Sequence, residues 1–184
     1  MNEKSQRFDL ESESALKQLA GAEIHTLLSE SCDIAIGESL LEVMSVSIPI
    51  FGGRSFIVIE SDWADTPKDW LDYHLLSVRV AKAPRGIYYN HNAPKGGVNY
   101  RSDHLSIRLG AVARVSSIQI LEAFEQGASE SVVYDAGLIV TRSDGLRFAI
   151  VRAQSIRGSL NVAHAPRDIE QLTQGLAVRW TYAA

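Results

Sequence analysis

At 184 residues the chain has the length of one domain, and its 46% apolar content sets it apart from disordered sequences. No apolar run approaches the roughly 20 residues that a membrane-spanning helix needs. The opening Met1–Arg7 has no apolar core of the kind a secretory signal carries, and Cys32 is the single cysteine, so we expect a soluble, cytoplasmic protein without an internal disulfide. The net charge of -4 conceals an asymmetry. Residues 1–72 carry 5 basic and 14 acidic side chains, whereas residues 73–184 carry 13 basic, 11 of them arginine, and 8 acidic. Such a layout suits two halves that attract each other, or two faces aimed at different partners.

Residues 9–20 read as a helix. Asp9 or Ser12 is placed to cap it, Leu16, Leu19 and Ala20 form its buried stripe, and Gly21 ends it. Period-two patterns follow. Residues 24–28 continue the helix or form a strand. Val46, Ile48 and Ile50 alternate with Ser47 and Pro49, and Gly52-Gly53 supplies a tight turn before the return strand Phe56–Ile59. Pro49 lacks an N–H, so the outgoing strand is expected at a sheet edge or with a bulge. Ser61–Trp70 reads as an irregular insertion before a strand over 71–80. Lys82–Asp103 is a second irregular stretch, long enough to suggest function.

The second half repeats the hairpin signal. Residues 136–140 lead into Ser143-Asp144-Gly145 and return over 146–151. A strand over 158–164, a short helix from Pro166 to Leu172 and a closing strand from Leu176 complete the chain. At an offset of 92 residues Val46 matches Leu138, Ile48 matches Val140, Phe56 matches Phe148 and Val58 matches Ile150, which suggests an internal duplication of halves near 9–80 and 105–184. The expected fold is therefore a single domain over 1–184. Its class is α+β and β-rich, with a mostly antiparallel sheet, two short helices and a possible duplicated hairpin unit.

The chain contains no nucleophile elbow, phosphate loop, dinucleotide fingerprint or zinc-protease motif. Cys32, between Ser31 and Asp33, lacks the positive neighbourhood that activates a thiol. Asp72 and His74 share one face of a strand and with His104 would make a two-histidine, one-carboxylate metal set, but nothing local brings His104 to them. Asp103-His104 would need a loop to act as an acid–base pair. Arg142, Arg147, Arg152 and Arg157 recur every five residues. Arg147 and Arg152 differ in parity, so they form no one-sided stripe for nucleic acid and read as solvated hairpin charges. We expect no cofactor, no metal, no nucleic acid and no membrane.

The densest unusual cluster is Trp63, Asp65, Trp70 and Asp72. Tryptophan anchors interfaces and carboxylates favour a basic partner, while the bland alternative is a pair of core lids with turn-capping aspartates. Together these features point to a non-enzymatic protein-binding domain, immunity-like or regulatory. The immunity analogy is one of size and charge only. One alternative is a small-molecule-binding protein or enzyme that uses the loop 87–104, with Tyr88, His91 and His104. Another is a structural homo-oligomer.

Overall fold

Alternation of apolar and polar residues dominates the chain, and strands dominate the fold. The computed structural model describes residues 2–30, 32–33, 40–87 and 104–184. Among these residues 58% lie in strands, with two helices, and the pairing is antiparallel apart from one parallel ladder. In chain order, β1 (Asn2–Gln6) precedes α1 (Leu10–Leu19). Then come β2 (Glu23–Ser29), β3 (Cys32–Asp33), β4 (Leu41–Val43), β5 (Ser45–Pro49), β6 (Phe56–Asp65) and β7 (Asp72–Ala81). The second half contains β8 (Leu105–Gln126), β9 (Glu130–Arg142), β10 (Arg147–Arg152), β11 (Leu160–Ala163), α2 (Pro166–Leu172) and β12 (Ala177–Ala183).

The strands follow the order β3-β4-β11-β10-β9-β8-β2-β5-β6-β7, with β1 added in parallel to β9 and β12 added to β8. The hinge of the arrangement is β8, 22 residues long. Its first part pairs with β2 and its second with β9 and β12. A register shift between Val115 and Ser117 switches the phase of its inward residues from Leu105, Ile107 and Leu109 to Ile118 and Ile120. Both segments can then face one core. That core joins Ile24, Val46, Ile48, Ile57 and Ile59 to Leu138, Val140, Phe148 and Ile150, with Leu16 and Leu19 of α1 packed in. The opposite face of β8–β10 is covered by α2, where Ile169 meets Leu121, Ile139 and Val151.

Local chemistry accounts for the helix ends. The Asp9 carboxylate accepts the Ser12 N–H at 2.8 Å, so Asp9 is the cap. Ser12 is buried instead, and its Oγ accepts the Val78 N–H at 3.1 Å, satisfying part of the outer edge of β7. Ala15, rather than Ala20, completes the fully buried stripe with Leu16 and Leu19.

The structure corrects several expectations. The strand with Pro49 lies between β2 and β6 and not at an edge. The proline is tolerated there because it ends β5, and the ladder to β2 is a single bridge, Leu28↔Ser47, so little pairing depends on its missing N–H. Residues 61–65 are part of β6, which confines the irregular stretch to 66–71. Residues 88–103, most of the second irregular stretch, lie outside the described residues. A duplication is not shown. The outgoing strands match, since Val46, Ile48, Leu138 and Val140 all face the core. The return strands do not. Ile48 pairs with Ile57, whereas Val140 pairs with Phe148. At the offset of 92, Phe56 and Val58 therefore fall on the face opposite to that of Phe148 and Ile150. A one-residue difference in register turns every side chain over.

The arginine series also departs from a row of solvated charges. Arg147 and Arg157 are exposed, but Arg142 is fully buried and Arg152 is largely buried.

Candidate functional site

The far end of the β6–β7 hairpin lies against the far end of β8–β9. Two turns lock them together through reciprocal carboxylates. Glu130, 4% exposed, accepts the N–H groups of Lys68 and Asp69 at 2.9 and 3.1 Å. Asp69 in return accepts the N–H groups of Ser129 and Glu130 at 2.6 and 2.7 Å, and the Ser129 hydroxyl at 2.8 Å. Gly127 is required beside this lock, because a Cβ there would lie 2.5 Å from the Asp69 Oδ2. The Ser129 N–H is the main cause that holds the Asp69 carboxyl below its ordinary range. Burial raises the Glu130 carboxyl, but the Lys68 and Asp69 N–H groups outweigh it and the net shift is downward. Inside the turn, Leu71 donates its N–H to the Thr66 Oγ1 at 3.0 Å, and Thr66 donates its own to the Leu71 carbonyl at 3.1 Å.

This frame holds Trp70 in a left-handed backbone conformation, φ 53°, the only such non-glycine among the described residues. The conformation costs on the order of 1 kcal/mol or more for a side-chain-bearing residue. The indole is nevertheless 71% exposed and buries little apolar surface in exchange. Neither tryptophan is a core lid. Trp63 is half-buried and its indole N–H donates to the Asp72 Oδ1 at 3.1 Å, which fixes the ring.

Trp63, Trp70 and Asp72 line a half-open cleft of about 470 Å³, with Leu71, His74, Glu125, Tyr134, Arg152, Gln154, Ser155 and Ile156. The size is that of a ligand site. Its floor is polar and buried. His74 is 3% exposed, its Nδ1 has no hydrogen-bond partner, and its ring lies 6.2 Å from that of Tyr134. Burial, then the charge of Arg152, push the imidazole down to about 4, while Asp72 pulls weakly the other way. The ring is therefore neutral at pH 7. Tyr134 is 1% exposed, and burial raises its phenol. Its hydroxyl accepts the Arg152 Nε–H at 2.6 Å. The Arg152 side chain is only 10% exposed. The nearest carboxylate to it, Glu125, is 3.8 Å from Nη2, beyond hydrogen-bond distance. The Nη donors make no hydrogen bond to the described residues, and neither nitrogen is among the buried atoms without a partner, so they open onto the cleft while the methylene stem is covered.

Among the described residues no Ser-His-Asp triad is assembled by hydrogen bonds. Such a triad needs a carboxylate on one imidazole nitrogen and a hydroxyl on the other. Here Asp72 takes the Trp63 indole, the His74 Nδ1 has no partner, and the Ser155 Oγ accepts the Arg157 N–H at 3.2 Å.

Of the residues singled out from sequence, Trp63, Trp70 and Asp72 come together in the cleft. Asp65 sits beside Asp72 in the β6–β7 register but does not line it. His104 precedes β8, at the opposite end of that strand from Glu125, so Asp72, His74 and His104 form no metal set. Among the described residues no group of three His, Cys, Asp or Glu side chains could hold a metal ion. Tyr88, His91 and Asp103 lie outside the described residues. Sequence reasoning missed Tyr134, Glu125 and the role of Arg152, which long-range packing alone creates. Among the described residues no helix is long and apolar enough to cross a membrane. No protein family, curated protein or solved structure matches this chain, so the geometry of the cleft carries the functional reading by itself.

Proposed function

We propose that the chain is a non-enzymatic binding domain, in the cytoplasm, that holds a protein partner through the cleft between the β6–β7 turn and the end of β10. The carrying observation is Trp70. A large apolar side chain is presented to solvent on a strained backbone, 71% exposed, by a turn that two buried or hydrogen-bonded carboxylates clamp in place. Strain kept by surrounding structure is a mark of a working surface, and tryptophan is the residue most enriched among binding anchors. The exposed Asp72 and half-exposed Glu125 at the rim favour a basic segment on the partner. The lone Cys32 supports a reducing compartment.

The test replaces Trp70 by Ala and compares melting with partner capture from the native cell extract. Unchanged melting with loss of a wild-type partner supports the reading. An unchanged set of captured proteins rejects it.

Self-association is a second reading, favoured by β12. This strand pairs only with β8 among the described residues and leaves Val178 and Trp180 52% and 56% exposed. Sedimentation of the wild type and of Trp180→Lys decides it. A dimer that dissociates on substitution supports it, and a monomer in both rejects it.

A further inference from the structure

The cleft joins two kinds of group that seek opposite ligands. At the floor is a cation short of anions. The Arg152 side chain is nine-tenths buried, its guanidinium makes one hydrogen bond, to the neutral Tyr134 hydroxyl, and its nearest carboxylate is 3.8 Å away. Guanidinium binds carboxylate through two parallel N–H bonds, and such pairing offsets the cost of keeping the charge out of water. Beside it the buried His74 imidazole has an unpartnered ring nitrogen. At the rim lie anions short of cations. Asp72 is exposed and its described bond is to an indole N–H, while Glu125 is 43% exposed and only loosely tied to Arg152. Both signs of charge act at one place, since the fields of Arg152 and Asp72 both reach His74. Trp63 and Trp70 line the same space, and indoles suit the flat or methylene portions of a cationic side chain.

From this juxtaposition we infer that the cleft captures a ligand carrying a carboxylate and a cation together, the C-terminal carboxylate and side chain of a polypeptide ending in arginine or lysine. The inference rests on the binding reading above and specifies its ligand. The carboxylate seats on the free donors of Arg152, and the cationic side chain lies along the tryptophans towards Asp72 and Glu125. A free basic amino acid carries the same two charges and is the other source of this chemistry.

Fluorescence titration with selective tryptophan excitation tests it in the full chain bearing Trp180→Phe, which leaves Trp63 and Trp70 as the only tryptophans. The probes are acetyl-Gly-Gly-Arg with a free carboxylate, the same peptide as its amide, and free L-arginine. The expected result is saturable binding of the acid, with the amide at least tenfold weaker. Arg152→Gln should weaken the acid to the level of the amide, and Arg152→Lys should restore part of the difference. Glu125→Gln should weaken acetyl-Gly-Gly-Arg more than acetyl-Gly-Gly-Leu, which lacks the cation. Free L-arginine binding as tightly as the peptide acid keeps the paired-charge chemistry but overturns the chain terminus as its source. Equal binding of acid and amide, unchanged in Arg152→Gln, overturns the carboxylate capture and leaves the cleft as a site for internal basic segments. Binding of none of the three overturns the inference, and the Trp70→Ala capture experiment then judges the wider reading on its own.

Discussion

Two arginines ten residues apart live in opposite circumstances. Arg142 ends β9 with its side chain wholly buried, and every part of its guanidinium is engaged. Nε donates to the Asp144 Oδ1 at 3.2 Å, Nη1 to the Ile24 carbonyl at 3.3 Å, and Nη2 to the Ala111 carbonyl at 2.8 Å and to the Asp144 carboxylate. It ties the β9–β10 turn to β2 and β8. Arg152 ends β10 with its side chain 10% exposed, and makes one hydrogen bond, to the Tyr134 hydroxyl, with a loose ion pair to Glu125. Burying a charge is tolerable when its donors are satisfied and costly when they are not. The first arginine is thus spent on the fold, whereas the second keeps binding capacity in reserve beside a cleft. Burial alone does not separate structural charges from functional ones; the tally of satisfied donors does.

The largest effect expected from breaking this contrast is at Arg142. Arg142→Ala leaves two carbonyls without their donor and opens a cavity, at a cost of about 3–5 kcal/mol. Thermal melting should show a drop of roughly 10 °C for a chain of this size, at about 2–4 °C per kcal/mol.

A second effect comes from His74, through the proton it refuses. An unfolded histidine titrates near 6.5, and this one is held down to about 4 by burial and by Arg152. As pH falls from 6.5 towards 4 the unfolded chain gains a proton that the folded chain does not, so the stability present above 6.5 is lost across that window. The loss is at most about 3 kcal/mol. Urea titrations of wild type and His74→Phe at pH 7 and pH 4.5 should show a smaller decline in the variant. Equal declines would mean that the imidazole is not shielded.

The smallest effect isolates the backbone at Trp70. Trp70→Gly and Trp70→Ala both remove the indole, but only alanine remains strained at φ 53°. The glycine variant should be the more stable of the two by about 1 kcal/mol in denaturant unfolding. No difference, or the reverse order, would remove strain from the account of the turn.

Much of the fold was legible because its signals are local. Asp9, Gly21, Gly52-Gly53, Ser143-Asp144-Gly145 and Pro166 each act through their own backbone, and the helices and hairpins stand where these residues place them. What escaped was set by distant partners or by phase. The long β8 carries its inward residues on odd positions up to Val115 and on even positions from Ile118, so no single period describes it. The apparent repeat failed for a related reason, because the turn between two strands sets their register and sequence matching ignores it. Trp63, Trp70 and Asp72 were legible as a cluster since they are close in sequence. Tyr134 and Arg152 were not, because they join Trp63 only when β9 packs beside β7 and β10 pairs with β9, some 70 to 90 residues further along the chain.

The central claim is that the Arg152 charge serves a ligand and not the fold. The most direct measurement is the melting temperature of Arg152→Met in the absence of any ligand. Replacing a charge that the protein holds with one hydrogen bond and a loose ion pair by an apolar side chain of similar length should leave stability unchanged or raise it. A melting temperature at or above that of wild type is the predicted result. A fall as large as that of Arg142→Ala would show that Arg152 is bound into the structure as fully as Arg142, and would contradict the account.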